Sequence, residues 1–169
     1  MSPRIVLIGP MGAGKSTVGA QLARELNVDF ADTDQLIEAD QGKSVSEIFI
    51  EDGEPHFRLV EESIVIDALR DESGVLSLGG GAVMNDEVQK SLRDSKATKI
   101  FLDISLAAVA SRVGFDTARP LLMVNPRQKW SELMNSRRPT YEALADLTID
   151  VSELSLEEVI SKIKSEVHV

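Results

Sequence analysis

Residues 4–17 read Arg4-Ile5-Val6-Leu7-Ile8-Gly9-Pro10-Met11-Gly12-Ala13-Gly14-Lys15-Ser16-Thr17. A short apolar run ends at a glycine and gives way to G-x-x-x-x-G-K-S, which in turn opens a helical pattern. The pattern needs this setting of strand, loop and helix to work as a phosphate cradle. Gly9, Gly12 and Gly14 let the backbone turn tightly and aim its N–H groups at phosphate oxygens. The helix that starts near Lys15 adds the positive end of its dipole. The Lys15 ammonium is placed to reach β- and γ-phosphates, and the Ser16 hydroxyl to ligate Mg²⁺. A chance glycine-rich turn is the competing explanation. At average residue usage the four fixed positions coincide about 3–4 times in 10⁵ at any one place, so over this chain below roughly 1%.

Working outward, short apolar runs alternate with helical stretches. Strands are expected at 4–8, 28–33, 74–78, 98–103 and 147–151, and helices near 15–26, 34–41, 44–51, 54–71, 85–94, 105–113, 126–138 and 155–166. Brief runs bounded by turn signals fit strands buried in a parallel sheet. The alternation predicts a three-layer α/β fold, with ligands beyond the carboxyl ends of the strands. Residues 114–125 (GFDTARPLLMVN) carry Gly, Pro and an arginine with weak periodicity, and read as an ordered loop or lid.

Composition narrows the chemistry. A chain of 169 residues suggests one domain. The net charge of −10 disfavours nucleic acid and anionic membrane as partners, so an anionic ligand needs a local basic pocket. There is no cysteine, which excludes disulfides and thiolate chemistry, and the two histidines, His56 and His168, exclude a multi-histidine metal site. No apolar run approaches the roughly 18 residues of a membrane helix. No charged-then-apolar leader precedes Ile5, so the expected location is the cytoplasm.

Several other positions carry chemistry. Asp32-Thr33-Asp34 closes the second strand, on the same side as the glycine-rich loop. One carboxylate fits a metal shell and the other a hydroxyl nucleophile; either also fits the cap of the helix starting near Gln35. Arg58 has Glu61 and Glu62 three and four residues on, so a helical salt bridge competes with ligand binding. Gly79-Gly80-Gly81 follows the third strand, where it allows backbone to approach a ligand or forms a flexible turn. Arg119 sits in the lid stretch before Pro120. Arg137-Arg138 is read at a helix end, where a cation complements the dipole without any ligand. His56, Trp130 and His168 read as surface, packing and tail residues.

Taken together, the chain resembles the shikimate kinases. The resemblance covers almost its whole length: residues 9–17, Asp32-Thr33-Asp34, Phe57-Arg58, Gly79-Gly80-Gly81, Arg119-Pro120-Leu121-Leu122 and Arg137-x-x-x-Tyr141. It implies a fold of the nucleoside-monophosphate-kinase type with a five-stranded parallel sheet ordered 2-3-1-4-5. A helical substrate region at about 34–62 and a lid at about 114–125 lie within a single domain spanning 1–169. It implies transfer of the γ-phosphoryl group of ATP to the 3-hydroxyl of shikimate, within aromatic amino-acid biosynthesis, with Mg²⁺ as cofactor. Lys15, Asp34 and Arg119 would be catalytic, and Asp34 a base for the attacking hydroxyl. Gly12, Ala13, Gly14, Lys15, Ser16, Thr17, Arg112 and Arg119 would bind nucleotide, Arg112 against adenine. Arg58 and Arg137 would hold the shikimate carboxylate, with Gly79, Gly80 and Gly81 closing the pocket and Phe57 as its apolar wall. Ser16 would bind Mg²⁺ directly and Asp32 through water. Gly114–Ala118 departs from the more basic or glycine-rich lids common in the family. No basic residue follows Tyr141 before the last strand, where some relatives place an arginine on adenine. The expected partners are shikimate and ATP, with no nucleic acid or membrane, and the chain is read as a monomer. The competing readings are another small-molecule P-loop kinase, such as one for gluconate, or a nucleotide-binding regulator without catalysis.

Overall fold

The computed structural model describes residues 5–71, 73–113 and 125–167. In chain order they form β1 (Ile5–Ile8), α1 (Lys15–Leu26), β2 (Phe30–Asp32), α2 (Thr33–Gln41), α3 (Val45–Glu51), α4 (Glu54–Asp71), β3 (Val75–Ser77), a one-turn 3₁₀ helix (Ala82–Met84), α5 (Asp86–Asp94), β4 (Thr98–Asp103), α6 (Leu106–Val113), α7 (Pro126–Leu144), β5 (Leu147–Asp150) and α8 (Leu156–Glu166). The lid expected at 114–125, apart from Asn125, lies outside the described residues, and so do Arg119 and His168.

The sheet is parallel throughout, in the order β2-β3-β1-β4-β5. This is the order the resemblance implied. β1 lies at its centre, with Leu7 opposite Ser77 on one side and Ile100 on the other. All four β1 residues are buried, as the unbroken apolar run Ile5-Val6-Leu7-Ile8 demands of a strand covered on both faces. Helices cover both faces: α1 packs with α8, while α5 packs with α4 and α7. A second, smaller core of Ile37, Ile48 and Phe57 sits beneath α2, α3 and α4, apart from the main one.

Strand order decides what meets at the carboxyl edge. The adjacency of β2, β3 and β1 sets the Asp32–Asp34 turn, the triple glycine and the phosphate loop side by side. β4 and β5 extend the same edge towards Val151. The loop after β1 passes so close to β4 that a side chain at Gly9 has no room. A Cβ there would lie 2.5 Å from the Leu102 carbonyl oxygen, and Gly9 has φ +144°.

The helix expected to stop near residue 138 continues through Pro139 to Leu144, so Arg137 and Arg138 do not sit at a helix end. Proline removes one helical hydrogen bond and disfavours helix at the residue before it. Burial of Tyr141 and Leu144 in the last turns outweighs that local preference. The 3₁₀ turn after the triple glycine was also not expected from sequence.

Replacing Gly9 with alanine tests the close approach. Gly9→Ala is expected to cost about 1–3 kcal/mol of unfolding free energy, since it adds both a backbone clash and strain at positive φ. Urea unfolding measures this directly. An unfolding free energy equal to that of the unaltered chain would show that the loop does not need glycine there.

Candidate active site

Two recesses open at the carboxyl edge. The larger, a groove of about 560 Å³, runs along the phosphate loop from Gly12 to Val18 and on to Arg112, Val151, Leu154 and Val159. The smaller, about 60 Å³, lies under α3, α4 and α7 and is lined by Phe49, Phe57, Arg58, Arg137, Trp130 and Met134, among others. Met11, Asp34, Gly79 and Gly80 line both. Chemistry between a ligand in the groove and one in the cavity would take place at these four residues.

In the groove, α1 is preceded by Gly14 as its N-cap, which has φ +89° and offers no side-chain cap. The first-turn N–H groups of α1 therefore face the loop with no side chain capping them. By contrast α2, α3, α5 and α8 are capped by Asp32, Ser44, Asn85 and Ser155. The Lys15 ammonium folds over the loop and donates to the carbonyls of Gly9 at 2.8 Å and Pro10 at 2.9 Å. Ser16 donates its hydroxyl to Asp32 Oδ2. Asp32 Oδ1 accepts from the Gln35 N–H at 3.2 Å and so caps α2. The two readings weighed for Asp32 are thus compatible, because each uses a different oxygen. A hydroxyl beside a carboxylate is a hard-oxygen donor set that suits Mg²⁺. Among the described residues no cluster of three metal-ligating side chains exists. Arg112 lies at the far end of the groove, its Nη2 donating to the carbonyls of Val151 at 2.7 Å and Leu154 at 3.2 Å.

In the cavity, two guanidinium groups converge on Gly81. A Cβ on that residue would lie 2.7 Å from Arg58 Nη2 and 2.8 Å from Arg137 Nη2. A side chain there would push the ends of both arginines aside. Arg58 also donates to Glu61 Oε1 at 2.6 Å, the helical pair weighed from sequence. That pair is not an exposed one, because Glu61 is 3% exposed and Arg58 lies 5.2 Å over the Phe57 ring. Burial pushes the Glu61 carboxyl above its ordinary range; Asp34 adds to this, while Arg58 and Arg137 oppose it. The Asp34 carboxylate packs against Gly79, where a Cβ would come within 2.8 Å of its Oδ1. The Gly79 N–H donates to Thr33 Oγ1 at 3.1 Å. Tyr141 donates its hydroxyl to the Gly80 carbonyl at 2.6 Å, and burial pushes its pKa up to about 12, so it keeps its proton.

The neighbouring arginines on α7 part ways. Arg137 faces the cavity, whereas Arg138 makes a two-pronged pair with Asp103 at 2.8 and 2.9 Å. A step of about 100° around a helix separates successive side chains, which is why two adjacent arginines serve different partners.

The model of the shikimate kinase family matches residues 11–168. The chain belongs to this family. It is 47% identical over 164 residues to the shikimate kinase of Thermobifida fusca, covering 97% of this chain and 94% of that one. It is 43% identical to the shikimate kinase of Rhodococcus jostii, covering 96% of each. Among solved structures, shikimate kinase from Acinetobacter baumannii in complex with shikimate superposes with a TM-score of 0.93 at 34% identity, covering 99% of this chain and 94% of that one. A gluconokinase from Sinorhizobium meliloti, at 18% identity and TM-score 0.60, shares the fold alone.

Besides the residues singled out from sequence, this shikimate kinase family member lines its cavity with Phe49, Trp130 and Met134. Tyr141 braces the cavity from beneath. Trp130, Met134, Arg137 and Tyr141 recur at spacings of four, three and four, one face of a single helix. Only Tyr141 falls beyond the helix expected at 126–138, past Pro139.

Glu61 makes stability depend on pH. Its folded pKa lies above the ordinary 4.5, so the native state holds the proton longer than the unfolded chain. Its contribution is full below pH 4.5 and is lost as pH rises through the folded value. Glu61→Gln cannot ionise, so unfolding free energies measured across this range should fall less steeply with pH in the variant. Parallel curves would show that Glu61 does not titrate on folding.

Proposed function

We propose that this member of the shikimate kinase family transfers the γ-phosphoryl group of ATP to the 3-hydroxyl of shikimate, giving shikimate 3-phosphate and ADP for aromatic amino-acid biosynthesis. The observation that carries this is the convergence of Arg58 and Arg137 over Gly81, next to Asp34 and one wall away from the phosphate loop. Two cations brought to one glycine repel; Glu61 offsets part of this from the Arg58 side, and a ligand carboxylate between them would offset more. A planar fork pairs with a carboxylate through two parallel hydrogen bonds. The substrate is therefore read as a compact carboxylate whose hydroxyls reach Asp34.

In this reading the ATP phosphates lie on the N–H groups of Gly12, Ala13, Gly14, Lys15, Ser16 and Thr17, and the base lies towards Arg112. Ser16 would hold Mg²⁺ directly and Asp32 through water. When bound, the ion neutralises phosphate charge. Lys15 swings from the loop carbonyls to the transferring group, and Arg119 joins it from the lid. Asp34 orients the attacking hydroxyl and takes its proton. Phe57, Gly79, Gly80 and Gly81 close the cavity around the ring. The helical region at about 34–62 serves substrate binding, with its own small core, within a single domain spanning 1–169. The stretch 114–125, which apart from Asn125 lies outside the described residues, would serve as a lid over the phosphates that keeps out water.

We infer a cytoplasmic monomer without nucleic-acid or membrane partners. A net charge of −10 opposes self-association and repels phosphate backbones. Among the described residues no helix is long and apolar enough to cross a membrane.

ADP release measured with shikimate, gluconate and nucleoside monophosphates separates this reading from its competitors. Turnover should require shikimate; turnover with gluconate or a nucleotide instead would overturn the choice of substrate, and none with any acceptor would favour a regulator. Arg58→Ala and Arg137→Ala should each raise the shikimate KM by roughly 10- to 100-fold and leave that of ATP nearly unchanged, because a charge-assisted hydrogen bond contributes about 1.5–3 kcal/mol. Unchanged shikimate KM in both variants would remove the case for a carboxylate. Lys15→Ala should retain less than about a tenth of the turnover, since the transferring group loses its main fixed cation.

A further inference from the structure

Trp130 joins the two recesses. Its ring lines the substrate cavity, and it is 5% exposed. Its indole Nε1 donates to the Met11 carbonyl in the phosphate loop at 2.9 Å. An indole N–H is only a donor, so this contact has one sense: it draws a carbonyl towards α7. The peptide that carries the Met11 carbonyl also carries the Gly12 N–H. A peptide unit is planar and trans, so its N–H points opposite to its C=O. Met11 lines both recesses and Gly12 the groove. With the carbonyl held on the cavity side, the Gly12 N–H faces the groove.

The local backbone does little to enforce this orientation. Gly12 has φ +88°, and glycine accepts either sign of φ at little cost. The loop's own turn bond, from the Ala13 N–H to the Pro10 carbonyl, is long at 3.4 Å. Rotation of the Met11–Gly12 peptide would turn a carbonyl oxygen on to phosphate oxygens, trading attraction for repulsion.

We propose that Trp130 is a positioning residue for phosphoryl transfer: by holding the Met11 carbonyl it keeps the Gly12 N–H aimed at the nucleotide phosphates. The proposal rests on the groove being the nucleotide site. It also ties α7, which carries Arg137, to the loop that carries Lys15. A ligand packed on the Trp130 ring and a nucleotide on the loop then favour the same arrangement of one hydrogen bond.

The test separates the N–H from the ring. Trp130→Phe removes the donor and part of the ring. Replacing Trp130 with 3-benzothienylalanine keeps the shape and exchanges N–H for sulfur. Binding of a non-hydrolysable ATP analogue with Mg²⁺ is measured by calorimetry, alongside melting temperature and steady-state kinetics. Both variants should bind the analogue about 3- to 10-fold more weakly, the scale of one neutral hydrogen bond. The isosteric variant should keep the shikimate KM to within about twofold and lose no more than a few degrees of melting temperature, the scale of one hydrogen bond, while kcat falls. Full analogue affinity in the isosteric variant overturns the proposal, whether or not Trp130→Phe loses affinity, because ring packing would then account for the residue. Calorimetry involves no acceptor substrate. An unaltered chain that binds the analogue but shows no shikimate-dependent ADP release would refute the substrate reading and leave this result standing.

Discussion

The position of β1 is the constraint on which the site depends. It is hydrogen-bonded along both edges and covered on both faces, so its four residues must be apolar and its carboxyl end must open at the middle of the sheet. A loop leaving that point has β3 on one side and β4 on the other. Backbone then meets backbone at Gly9 and Leu102, where only a residue without Cβ fits. The loop that follows is fixed at its start by this contact and at its end by α1. Between those ends Trp130 reaches it from α7, while Asp32 from β2 accepts from Ser16 in the first turn of α1.

Charge is concentrated locally against the overall balance. The protein carries a net charge of −10, yet its cavity gathers two arginines over one glycine. The local field is set by what surrounds them. Glu61 is buried against Arg58, and burial raises the Glu61 pKa even with that cation beside it. A buried pair of this kind contributes little net stability, because desolvation offsets much of the attraction. Its effect is positional: Glu61 holds the Arg58 guanidinium, whose Nη1 and Nη2 both lie against Gly81. Arg138 spends its charge on Asp103 at the end of β4 and so fixes the rotation of α7 that points Arg137 inward.

Local signals were sufficient wherever chemistry and sequence were contiguous. The phosphate loop, the Asp32–Asp34 turn and the triple glycine were each legible as short strings beside strand ends. The strands themselves were found to within two residues, because runs such as Leu7-Ile8 and Phe101-Leu102 admit little besides burial. Arg58 was more equivocal. Its helical bond to Glu61 was foreseen as an alternative to ligand binding, and both turn out to be geometrically available at once. Trp130 and Tyr141 were read only as packing and as part of a motif, since neither has a local pattern that marks contact with a loop 119 or 61 residues away.

By itself the sequence determined that this chain places a phosphate-binding loop after a buried strand and two carboxylates after another, since backbone chemistry and burial are written within a few residues. Its likeness to the shikimate kinases extended that to the sheet order. Only the tertiary structure decided that α7 runs on past Pro139, that Arg137 and Arg138 face different ways, and that an indole holds the Met11 carbonyl. The reason is energetic. Each of these depends on burial against segments distant in sequence, and burying Tyr141 or Trp130 outweighs the local preferences that sequence alone records.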